Sequence, residues 1–114
     1  MNSLVTRAKE LLESRRADVI IGFGEGTSGS VRAVFITDPS KTGRLIFDDR
    51  CIQNLAVYLT KAEVKSIGKM AITATPPVMR SILMLISEQQ VDPGNIVVLG
   101  ISADYELLDL ADIN

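Results

Sequence analysis

The chain has no histidine, no tryptophan and a single cysteine, Cys51, among its 114 residues. Ser-His-Asp and Cys-His catalysis both need an imidazole, and structural zinc or a cysteine-held cluster needs several thiolates or imidazoles. This chain alone cannot build those sites. No pair of acids stands at a spacing that marks a magnesium loop either. No apolar run approaches the roughly 18 residues that cross a bilayer. The amino terminus, Met1-Asn2-Ser3-Leu4, lacks the basic-then-apolar pattern of a secretory signal. The expectation is a soluble cytoplasmic protein with no membrane insertion. Aromatics make up only 4% of the chain and its basic residues are dispersed, so nothing points to nucleic acid. No catalytic residue and no metal ligand is assigned.

What is present suits one domain. The length supports a single core without staples, and a 46% hydrophobic content excludes a disordered chain. Charge is unevenly spread: all 12 Lys and Arg lie at or before Arg80, whereas six acids follow it, ending in Asp109 and Asp112. A solvated helix face explains an acidic tail more simply than a docking site does.

Leu4, Val5, Ala8, Leu11 and Leu12 form the stripe of an amphipathic helix over residues 3–16, with Asn2 or Ser3 as its cap and Arg15 and Arg16 at its negative end. Val19-Ile20-Ile21-Gly22-Phe23 reads as a strand buried on both faces, the kind found in parallel sheets. The glycine-rich stretch after it contains Gly24, Gly26, Thr27, Ser28 and Gly29. A dinucleotide fingerprint must open a helix. Here the β-rich run Val31–Thr37 follows, so the glycines bridge two strands as a hairpin or irregular loop. Thr27 and Ser28 among unobstructed amides keep the loop as a secondary anion-site candidate.

Arg44–Phe47 looks extended, and Asp48 or Asp49 is placed to cap a helix carrying Ile52, Leu55, Ala56 and Leu59. Cys51 then falls in a first turn, where the dipole favours a thiolate, although a lone cysteine is more often a small buried apolar residue. Thr60 and Glu63 have the spacing of a capping box for a short helix ending at Gly68.

Lys69–Ser102 is a βαβ unit. Lys69–Ala74 is a strand, and Thr75 caps a helix with Pro76 at its first position. Val78, Met79, Ile82, Leu83, Leu85 and Ile86 predict a wide buried stripe on that helix. Asp92–Asn95 turns the chain into the strand Ile96–Ile101, and Ser102 is placed to cap a final helix with Leu107, Leu108 and Leu110. The first βα turn is where such folds place chemistry, so Thr75, Pro76, Pro77 and Arg80 are candidate binding residues. The predicted architecture is a single α/β domain over 1–114, a mixed or parallel central sheet flanked by helices, with a carboxy-terminal βαβ unit.

Several blocks, in order, resemble the amino-terminal half of the coenzyme F-420 hydrogenase and dehydrogenase beta-subunit family, which are iron-sulfur flavoproteins. They are Ala8-Lys9-Glu10-Leu11-Leu12-Glu13, Asp18-Val19-Ile20-Ile21-Gly22, Gly24-Glu25-Gly26-Thr27, Leu45-Ile46-Phe47-Asp48 with Cys51, Asn54–Leu59, Arg80-Ser81-Ile82 and Ile96–Ile101. The resemblance implies redox ancestry, a flavin as the cofactor to look for, and a redox partner protein or self-association. In that family a cysteine precedes the arginine-containing helix and another follows the next strand. This chain has Thr75-Pro76-Pro77-Val78 and Ile101-Ser102-Ala103 there. A cluster needs about four thiolates, so the expectation is an accessory or degenerate electron-transfer module, without activity alone and without its cluster. The alternative is a flavin- or nucleotide-binding domain using the glycine-rich loop and the Thr75 helix start.

Overall fold

Two strands buried at every position, Met70–Ala74 and Ile96–Gly100, lie side by side at the centre of the βαβ unit. In the computed structural model, which describes residues 2–26, 29–51 and 53–102, these are β4 and β5. The others are β1 (Val19–Glu25), β2 (Val31–Ile36) and β3 (Leu45–Ile46). The helices are α1 (Asn2–Glu13), α2 (Ala62–Lys65) and α3 (Pro76–Ser87). The sheet runs β2-β1-β4-β5, with β3 also on β1. β1 pairs in parallel with β4 and antiparallel with β2 and β3, and β4 pairs in parallel with β5. The whole is one α/β domain with a mixed sheet.

The glycines do bridge a hairpin, and Gly22 and Gly24 lie within β1 itself. All of β1 up to Gly24 is buried, as a strand covered on both faces must be. α1 packs on β1 and on the 3-10 segment Pro39–Arg44, whereas α3 packs on β4, β5 and a second 3-10 segment, Leu55–Thr60.

Several local expectations change. α1 ends at Glu13 rather than Arg16, because Arg15 adopts a left-handed φ of 61° and the amides of Arg16 and Ala17 turn back to the Leu11 carbonyl. The stripe after Asp48 is a 3-10 helix that starts only at Leu55. Asn54 caps it by accepting from the Ala56 amide at 2.9 Å, so neither Asp48 nor Asp49 is the cap. Thr60 forms no capping box; its hydroxyl donates back to the Val57 carbonyl, and Lys61 stands at the cap of α2. Thr75 is the α3 cap residue without a side-chain bond. Only Val78 and Ile82 of α3 are buried; Leu83 is 53% and Met84 62% exposed. The expected final helix, with Leu107, Leu108 and Leu110, lies outside the described residues, as do Thr27, Ser28 and Ile52. Among the described residues, no helix is long and apolar enough to cross a membrane.

Candidate functional site

β1 changes partner half-way along one edge. Val19–Ile21 pair with Met70–Ile72 of β4, whereas Phe23 and Gly24 pair with Ile46 and Leu45 of β3. Gly22 stands at the fork, where a Cβ would come within 2.6 Å of the Leu45 side chain. Beyond the fork β3 and β4 diverge, and a cleft of about 510 Å³ opens between them. It lies outside the carboxyl ends of β1, β4 and β5, where open α/β sheets hold ligands, and its size falls in the range of small-molecule sites.

The back of the cleft is apolar. Phe23 and Phe47 meet edge to face with ring centroids 5.4 Å apart, and Val78 is buried beside them. Thr73, 1% exposed, adds a hydroxyl that donates only a long 3.5 Å bond to the Ile21 carbonyl. Pro76, Pro77, Thr75 and Ser102 complete the sheet side. The opposite rim comes from the segment after β3: Asp48, Asp49, Cys51, Gln53 and Asn54. Asn54 Nδ2 donates to Ser81 Oγ at 2.9 Å, fastening that rim to α3.

Arg50 shapes the outer rim. Its Nη2 donates to Asp48 Oδ2 at 2.7 Å, its Nε reaches both Asp48 oxygens, and its Nη1 donates to the Gly29 carbonyl at 2.7 Å and to Glu25 at 3.3 Å. The Arg50 side chain, and then its backbone amide, hold the Asp48 carboxyl below its usual range. The side-chain bonds to Asp48, and then to Glu25, raise the Arg50 guanidinium further above its usual value.

Cys51 is 8% exposed and lies in a turn, not in a helix. Burial pushes its thiol up, outweighing the Asp48 amide that approaches Sγ at 3.4 Å; the Asp48 charge pushes the same way as burial. The expected helix dipole is absent here, so Cys51 stays a neutral thiol at physiological pH.

Of the residues singled out in the sequence, Thr75, Pro76 and Pro77 line the cleft. Arg80 does not; it is exposed, because two residues after the buried Val78 is about 200° around the helix. Gly24 is buried in β1, and Gly26 and Gly29 lie outside the lining, although Arg50 ties Gly29 to Asp48 on the rim. Phe23, Phe47, Thr73 and Asn54 were not singled out. The two phenylalanines carry one sequence signal, scarcity, since the chain holds just three; Thr73 and Asn54 carry none.

The α3 start is a poorer anion site than its position promises. Pro76 and Pro77 remove two of the four amides that a helix start leaves free, and two carboxylates face it. Nor do the residues fit an iron-sulfur cluster held by this chain: the cleft offers one protonated sulfur and no imidazole. Among the described residues, no three His, Cys, Asp or Glu are grouped to hold a metal ion. The apolar wall fits the flat ring of a flavin; the acidic rim does not fit its phosphate. No family model matches the chain, and no curated protein matches it.

Proposed function

We propose that the chain is an accessory module of an electron-transfer system of the hydrogenase or dehydrogenase kind, working by binding a redox protein rather than by catalysis. One observation carries this reading. The two positions where the resembled subunits keep cysteines, at Thr75–Val78 and around Ser102, line the same cleft as Cys51, although they are far apart in sequence. Such convergence is what a degenerate cluster scaffold requires, and the substituted residues explain how the fold persists without the cluster: Pro76 still starts α3 at no hydrogen-bond cost.

The surface for a partner lies beside the cleft. Val57 and Met84 border a second groove of about 440 Å³ between Leu55–Thr60 and α3, and Leu83 adds exposed apolar area next to it. The reading carries a cytoplasmic location with it. Affinity purification of the tagged chain from its native cells tests it. An iron-sulfur or flavin oxidoreductase subunit is expected to co-purify in fixed stoichiometry, and its absence overturns the reading.

A second reading, flavin or nucleotide bound in the cleft, is favoured by the cleft's volume and its Phe23–Phe47 wall and opposed by the Asp48–Asp49 rim, which disfavours a phosphate. Thermal unfolding with riboflavin, FMN and ATP separates the two, because a ligand of the folded state raises the melting temperature.

A further inference from the structure

We infer that the cleft between β3 and β4 is a site for an organic cation with an apolar body, an alkyl- or aryl-ammonium, and that it rejects phosphate. The first ground is charge. Two carboxylates, Asp48 and Asp49, stand on its rim, and no Lys or Arg is among the lining residues. Arg50, outside the lining, pairs with Asp48 and with Glu25, so Asp49 is the rim carboxylate without a guanidinium bonded to it. The second ground is the wall. Phe23 and Phe47, 3% and 4% exposed, line the back of the cleft and would cover the ligand's apolar part. The third is the supply of acceptors. Thr73 lines the cleft at 1% exposure, and its hydroxyl makes one long bond as a donor and accepts none among the described residues, which would leave its oxygen to meet an N–H that reaches the back of the cleft. The fourth is the scarcity of donors for an anion, since Pro76 and Pro77 have no N–H to offer at the α3 start.

This inference goes beyond the accessory role and does not depend on it. The test is a titration of ¹⁵N-labelled protein with three probes of matched body: benzylamine, which is protonated at pH 7, benzyl alcohol, and phenyl phosphate. Benzylamine is expected to move the amide signals of Asp49, Thr75 and Val78 saturably, with phenyl phosphate leaving them in place. Asp49→Asn, an exposed change that leaves the spectrum folded, is expected to weaken benzylamine about threefold, the effect of one solvent-exposed charge. Equal shifts with benzyl alcohol, stronger shifts with phenyl phosphate, or no cleft shifts with benzylamine at its solubility limit each overturn the inference.

Discussion

Asp18 and Lys69 are paired twice across 51 positions of chain: the Asp18 carboxylate accepts from the Lys69 amide at 2.8 Å, and the Asp18 amide donates to the Lys69 carbonyl at 2.7 Å. This sets the start of β1 beside the start of β4, the parallel pairing on which the fork and the cleft depend.

Gly68 makes that pairing possible. Its φ of 133° disfavours any side chain, and a Cβ would collide with the Asp18 carboxylate. Gly68→Ala is expected to cost about 1–3 kcal/mol from conformation alone, and more with the collision. Asp18→Ala removes the collision, so the double variant is expected to be more stable than the sum of the singles. Urea unfolding of the four proteins checks this; additive losses contradict it.

The two faces of α3 should respond differently. Ile82 is fully buried, and Ile82→Ala is expected to cost about 2–5 kcal/mol. Leu83→Lys and Met84→Glu fall on exposed positions and are expected to change stability by no more than about 0.5 kcal/mol. On the accessory reading they nevertheless weaken capture of the redox partner, which co-purification measures.

Acid should weaken the rim. The folded pKa of Asp48 is lowered from 3.8, first by the Arg50 side chain and then by its amide. The stabilisation is therefore complete above 3.8 and is lost as pH falls through the lower folded value. Arg50→Ala is expected to return the Asp48 titration toward 3.8, as followed by carboxyl carbon NMR, and high salt is expected to do the same in part. No change in the variant contradicts the assignment.

Cys51 should be a slow thiol. Burial raises its pKa above 9.0, so little thiolate exists near neutrality. Alkylation by iodoacetamide at pH 8 is expected to run severalfold slower than for glutathione and to reach its rate in urea. Reaction faster than glutathione in the folded protein contradicts this environment.

The βαβ unit was legible because its signals are local: largely apolar runs at Met70–Ala74 and Ile96–Gly100, prolines opening α3, and Asp92 closing on the Gly94 amide before β5. Leu55–Thr60 misled because its apolar spacing serves a 3-10 helix as well as an α-helix, and Asn54 rather than an aspartate decides where it begins. The cleft was only half legible. Thr75–Pro77 announce themselves as a helix start, but Phe23, Phe47 and Thr73 become neighbours only once β1 passes from β4 to β3. That switch is written in Gly22 and is readable only when Leu45 is known to lie opposite.

Counting cofactors tests whether the chain is, as proposed, an electron-transfer scaffold that works through a partner and holds no cluster of its own. The tagged chain is purified without oxygen, once as its native complex and once after the partner is stripped away, and iron, sulfide and flavin are measured in each. Cofactors are expected in the complex, carried by the oxidoreductase subunit, and none on the isolated chain. Iron and sulfide, or flavin, retained in stoichiometric amounts by the isolated chain contradict it.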